Sequence, residues 1–162
     1  MYRESTFAMP PRVSIITRTK DRPLLLQRAL GSVQGQRYTD WQHVIVNDGG
    51  EADPVDALVE SQPAEIRKRI QVLHHSESLG MQEASNAGIR AAEGEFVCIH
   101  DDDDRWEPDY LEAVTAFLDG EGPDSPYQGV ITGTTEVRET VAEAGELKEL
   151  SRRPYIPLEE IS

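Results

Sequence analysis

A single cysteine, Cys98, stands among 162 residues. That excludes an internal disulfide framework and fits a reducing compartment. Cys98 lies inside an apolar run and reads as a buried thiol rather than a nucleophile. Long apolar runs are missing too: nothing approaches the roughly eighteen residues needed to cross a bilayer. Met1 to Pro11 also has no apolar signal-peptide core. The expectation is a cytoplasmic protein without a transmembrane segment. Basic residues are scarce, with 16 Lys and Arg against 30 Asp and Glu and a net charge of −14. Bulk charge therefore disfavours nucleic acid or an anionic membrane as partner. A phosphate ligand would have to be gripped locally, by a metal and a few basic groups. Neither a Gly-x-Gly-x-x-Gly turn after the first strand nor a Walker loop is present, which removes the dinucleotide and P-loop readings.

What the chain does have is an apolar segment, Phe96 to Ile99, running through His100 into Asp101, Asp102, Asp103 and Asp104. Adjacent carboxylates repel one another at neutral pH, so a fold that holds them at a strand end calls for a cation. Carboxylate oxygens suit hard divalent ions, and Mg²⁺ takes only one or two of them, leaving its other positions to water and substrate phosphates. An EF-hand is a poor alternative, because no central Gly follows Asp101 at the required spacing. The competing reading is a solvated acidic turn that opens the next helix at Pro108.

Patterning places the motif. Arg12 to Thr17 is a β-branched run and reads as a buried strand; Asp21, Arg22 and Pro23 then open a helix with Leu26, Ala29, Leu30 and Val33 at helical spacing. Trp41 to Asn47 is a second strand, closed by Asp48-Gly49-Gly50. A helix follows from Asp53-Pro54, a third strand over Ile70 to His74, a helix over Ser78 to Ala92, a fourth strand over Glu95 to His100 and a helix over Pro108 to Leu118. Alternating strand and helix implies an α/β fold, Rossmann-like, with a mostly parallel sheet and flanking helices. Ligands of such sheets bind beyond the carboxyl ends of the strands, where Thr17-Arg18, Asp48 and the four aspartates all fall. Beyond Gly120 the pattern changes. Gln128 to Thr135 and Glu136 to Val141 look like strands, and Leu147 to Ser162 reads as a loose, proline-punctuated tail.

Four ordered motifs resemble the donor-binding part of the family-two glycosyltransferases of GT-A fold. They are Val13-Ser14-Ile15-Ile16 with Arg18 to Arg22, Val44 to Gly50, Gly80 to Ile89, and Asp101 to Asp104 followed by Arg105-Trp106-Glu107-Pro108-Asp109. The likeness spans about residues 12 to 118. It implies an extension over 1–11, a nucleotide-sugar-binding domain over 12–141 and, over 142–162, a tail that starts an acceptor region lying outside this chain. It implies transfer of a sugar from a nucleotide-diphosphate sugar, a UDP-sugar foremost, to a saccharide or other hydroxyl acceptor, with inversion and with Mg or Mn as cofactor. Asp48 would accept from the base, Thr17, Arg18 and Asp21 would lie against the nucleoside, and Asp102 would face ribose or diphosphate. Asp103 would be the principal metal ligand, with Asp101 or Asp104 assisting through water. The family's general base lies well beyond the metal motif, and none of Glu136, Glu139 or Glu143 takes that role on sequence grounds. A binding module without the acceptor half is the alternative, with an open sheet edge that favours self-association.

His74 and His75 end the third strand on opposite faces, so they do not chelate one ion together. His100 either touches the diphosphate or packs. Trp41 and Trp106 read as core or rim aromatics.

Overall fold

The computed structural model describes residues 9–122, 126–141 and 147–155. Two compact units divide the chain, Met1–Thr115 and Ala116–Ser162. The first runs β1 (Val13–Thr19), α1 (Pro23–Gln34), β2 (Trp41–Asp48), α2 (Ala52–Glu60), α3 (Ala64–Arg67), β3 (Ile70–His75), α4 (Met81–Ala91), β4 (Phe96–Ile99) and the opening of α5 (Tyr110–Gly120). The strands form one sheet in the order β3-β2-β1-β4, and every pairing in it is parallel. The expected Rossmann-like architecture is what the residues build.

β1 and β2 carry near-continuous β-branched sequence because both faces of the sheet are covered. Val13 and Ile15 face a cluster with Val33, Trp41 and Leu111, while Ile16, Val44 and Val46 face Ala84 and Ala91 of α4. Ile45 packs with Leu26 and Leu30 of α1 and with Val55 and Val59 of α2. Fully burying a leucine such as Leu26 or Leu30 contributes about 2 kcal/mol. On the other layer α4 lies unusually close: a Cβ on Gly88 would fall 2.4 Å from Cγ2 of Ile16.

Polar side chains stitch the amino ends of the strands. Ser14 Oγ donates to Gln42 Oε1 at 2.9 Å, and these two oxygens accept the backbone N–H groups of Gly94 (2.8 Å) and Glu93 (3.0 Å). The connection from α4 into β4 is fixed at one end of the sheet, which leaves the other end to the ligand-bearing loops.

The second unit holds the remainder of α5 and a hairpin in which β5 (Thr135–Val141) pairs antiparallel with β6 (Leu147–Pro154). Here the sequence reading needs correction. Gln128 to Thr134 carries no strand, and Leu147–Pro154, expected as loose tail, is one. Every residue of β6 after Leu147 is exposed, so no alternation of apolar and polar residues marked it.

Candidate active site

The carboxyl ends of β1, β2 and β4 bring Thr17, Arg18, Asp48 and Asp101 to Asp104 to one end of the sheet, as their order predicted. Arginines, not only carboxylates, organise this end. Arg18 Nε donates to Asp101 Oδ1 at 2.9 Å, with its Nη2 on the same oxygen and its Nη1 on the Met81 carbonyl at 3.3 Å. Arg22 Nη1 lies 3.0 Å from Asp102 Oδ1 and 3.5 Å from Asp103 Oδ2. Arg28 Nη2 donates to the Asp103 carbonyl at 2.6 Å. Asp102 is buried, and its Oδ2 has no hydrogen-bond partner among the described residues. Burial pushes its carboxyl above the ordinary range; Thr19 and Arg22 pull it back, while Asp103 and Asp101 add to the rise.

The acidic loop is sewn to α1 by a polar stripe that sequence reading did not assign. Besides Arg28, Ser32 Oγ accepts the Trp106 N–H at 2.7 Å, and Gln36 donates to the Glu107 carbonyl at 2.8 Å while accepting the Leu111 N–H at 3.0 Å. Arg28 and Ser32, four apart, share a face of α1, and Gln36 follows two residues past the end of the helix; the spacing of the first two was the available signal. The His100 and Trp106 rings meet at a tilt of 44° with centroids 4.3 Å apart, and Trp106 stacks on Tyr110 at the same distance, so both pack against neighbouring rings. α5 accordingly starts at Tyr110 rather than at Pro108, whose carbonyl accepts the Arg37 N–H at 2.8 Å.

Asp48, expected on the nucleoside, has both oxygens committed. Oδ1 accepts from His75 Nδ1 (2.8 Å) and the Leu79 N–H (2.9 Å), and Oδ2 from Ser78 Oγ (2.7 Å) and the Gly80 N–H (3.0 Å). A carboxylate offers about four lone-pair sites, so its capacity is filled. Burial raises this carboxyl, but the bonds from His75, Leu79, Ser78 and Gly80 outweigh it and hold the group well below the usual range. Residues 78–80, read from sequence as the start of α4, are the loop that Asp48 grips. Asp21 sits in the left-handed region at φ 53° and accepts the Glu51 N–H at 2.9 Å, tying the loop after β1 to the loop after β2.

Thr17 and His43 share a hydrogen bond of 2.8 Å inside the sheet, so Thr17 points into the core and not toward a ligand. Burial and the neighbouring His100 lower His43 to about 3. An unfolded histidine binds its proton near pH 6.5, and the folded one stays neutral well below that. The unfolded chain therefore holds the extra proton, and stability falls as pH drops below about 6.5, costing about 2 kcal/mol by pH 5. Urea denaturation at pH 7.5 and pH 5 measures this; a His43→Gln variant that loses as much stability over that window as the native chain would show that another group carries it.

The comparisons with known proteins meet this geometry. A model of the family "Glycosyl transferase family 2" matches residues 14–157. The chain belongs to glycosyl transferase family 2. Among its relatives is TuaG of Bacillus subtilis (strain 168), named for teichuronic acid biosynthesis, 32% identical over 108 residues that cover 67% of this chain and 42% of TuaG. A Pyrobaculum calidifontis mannosyltransferase solved with GDP-Man and Mn²⁺ superposes with a TM-score of 0.60 at 26% identity, covering 68% of this chain and 33% of that one. Staphylococcus aureus TarS 1-349 with UDP gives 0.62 at 20% identity, covering 83% and 43%, a likeness of fold. The chain spans less than half the length of each of these three proteins.

Family 2 membership raises the question of a metal. Among the described residues no three His, Cys, Asp or Glu side chains are gathered where an ion could sit. One or two carboxylates suffice for Mg²⁺ or Mn²⁺, however, when water and phosphate complete the shell. The unpartnered, buried Oδ2 of Asp102 beside the exposed Asp103 supplies that donor chemistry. The residues fit a divalent ion. Among the described residues no helix is long and apolar enough to cross a membrane.

Proposed function

We propose that residues 12–141 of this family 2 chain bind a nucleotide-diphosphate sugar at the carboxyl ends of β1, β2 and β4. The sugar is presented to an acceptor hydroxyl for transfer with inversion. The observation that carries this reading is the acidic loop itself: a buried carboxylate oxygen of Asp102 without a partner, next to Asp103, at the strand ends where α/β sheets take ligands. Asp103 would hold Mg²⁺ or Mn²⁺ together with the neighbouring Asp102, and Asp101 or Asp104 would assist through water. The ion, when bound, offsets charge on the departing diphosphate. The chain's own residues do the positioning. Arg18 fixes Asp101 against β1, the α1 stripe holds the loop rigid, and Asp48 shapes the nucleoside end by holding the 78–80 backbone. Asp21 holds the two neighbouring loops at their spacing.

The complexes of GDP-Man with Mn²⁺ and of UDP in the structural neighbours support this class of ligand. A calorimetric panel of UDP, GDP, CDP and dTDP, with Mn²⁺ and with EDTA, tests it. One nucleotide is expected to bind in Mn²⁺ and lose nearly all affinity in EDTA. Equal affinity in both conditions would refute the metal-assisted reading.

A second reading, donor binding without transfer by these residues alone, has its own support. Glu136 is held between Arg153 (2.8 Å) and Arg138 (3.1 Å), and those bonds keep its carboxyl below the ordinary range, which suits an ion pair better than a general base. Glu143 lies outside the described residues. Sugar transfer by the 162-residue chain at rates far above background, with a simple hydroxyl acceptor, would remove this second reading.

A further inference from the structure

We propose that Arg22 is an exchangeable counter-ion, paired with Asp102 and Asp103 while the site is empty and handed to the diphosphate when a divalent cation takes those carboxylates. This rests on the metal-assisted reading above.

The three arginines at the acidic loop differ in how firmly they are held. Arg18 has a side chain only 15% exposed and is fixed at both ends, by Asp101 and by the Met81 carbonyl. Arg28, whose side chain is partly buried, reaches the loop's backbone at the Asp103 carbonyl. Arg22 is the outlier. Its side chain is 52% exposed, and a single nitrogen, Nη1, spans Asp102 Oδ1 and Asp103 Oδ2 at 3.0 and 3.5 Å. That single positive charge is held where a divalent ion would compete for the same two carboxylates.

Both occupants cannot stay. A divalent ion bonds carboxylate oxygens at about 2.1 Å, closer than a guanidinium can approach, and like charges that near repel. The ion therefore has to displace Arg22 before it can use both residues. The displaced group does not go far, because Arg22 is the residue immediately before α1 and its backbone is set by Asp21 at φ 53°. It is left as a half-solvated guanidinium at the edge of the site where the diphosphate arrives, and a guanidinium fork matches phosphate oxygens.

Metal and nucleotide should then help one another. Arginine competes with the metal when nucleotide is absent and reinforces it when nucleotide is present, so ion binding alone is weak and joint binding strong. A chain with a net charge of −14 also gains by keeping its acidic loop neutralised between turnovers.

Manganese alone is the probe, titrated by electron paramagnetic resonance into the native chain, Arg22→Gln and Arg22→Lys, followed by UDP at saturating Mn²⁺. Arg22→Gln is expected to bind Mn²⁺ alone about tenfold more tightly than the native chain, and UDP about tenfold more weakly once Mn²⁺ is bound. Arg22→Lys keeps the competing charge but not the fork, so its Mn²⁺ affinity should stay near native while UDP weakens. Unchanged or weaker Mn²⁺ binding by Arg22→Gln overturns the exchange. If the native chain binds Mn²⁺ and UDP jointly and Arg22→Gln matches it in both, the exchange alone falls. If no protein takes up Mn²⁺ at all, the metal reading falls with it. Thermal melts of all three guard against misfolding, and at this exposed position they are expected to coincide within a few degrees in EDTA.

Discussion

Asp103→Asn is expected to cost at least about 100-fold in nucleotide-diphosphate affinity in Mn²⁺ while leaving thermal stability almost untouched. The expectation rests on how little else this carboxylate does. Its side chain is 58% exposed and lies 3.5 Å from Arg22, and the bond that anchors the residue runs from Arg28 to its backbone carbonyl. Asparagine keeps the size and the backbone bond and removes the charge a divalent ion requires. Asp102→Asn would be harder to interpret, since Asp102 is buried and substitution there disturbs packing and charge together. Calorimetry with UDP, or with whichever nucleotide the panel selects, reads the effect. Comparable affinity for the Asn variant and the native chain would show that the ion, if one binds, is held elsewhere.

The second large effect is on folding. Gly49→Ala should destabilise the chain by about 3–5 kcal/mol. Gly49 has φ 74°, a conformation that costs about 1–2 kcal/mol with a side chain present. Its new Cβ would stand 2.3 Å from the Ser78 nitrogen and 2.4 Å from the Glu77 carbonyl carbon. Those neighbours are backbone atoms and cannot rotate away. To make room, the 77–80 segment would have to withdraw from Asp48, giving up hydrogen bonds each worth about 1 kcal/mol or more when a charged acceptor is involved. Gly31→Ala is the counter-case. It lies within α1 with nothing inside 4 Å of its prospective Cβ, so alanine there should stabilise by about 0.5–1 kcal/mol. Urea denaturation of the two variants should shift the midpoint in opposite directions. A Gly49→Ala variant as stable as the native chain would mean that the loop does not depend on the Asp48 clamp.

How far the sequence could be read depended on whether local pattern or a distant partner set each feature. β1 and β2 were legible because Val13 to Ile16 and Val44 to Val46 are buried on both faces and announce themselves by composition. α1 was legible from the spacing of Leu26, Ala29, Leu30 and Val33, all of which are buried. α3, with four residues, is too short to show a period, and β6 has exposed residues on both sides. In the site, the chemistry of Asp101 to Asp104 could be read from the row of carboxylates alone. Their neutralisation by Arg18 and Arg22 could not, since those partners lie more than 79 positions away in the chain. The same is true of Asp48, whose position at a strand end was evident and whose four donors, from His75 to Gly80, were not.

β4 has four residues and, among the described strands, pairs only with β1, through Val13 to Ile16. Val97 and Ile99 are 44% and 41% exposed, so less apolar surface holds this strand than holds its neighbours. Excursions that detach β4 should therefore be among the cheapest partial openings of the sheet, and amide hydrogens there should exchange with solvent sooner than those of β1 and β2. Because the aspartate loop is carried by β4, each such excursion would dismantle the site as well, and any ligand that spans Arg18 and Asp103 would slow exchange along β4 more than anywhere else in the sheet.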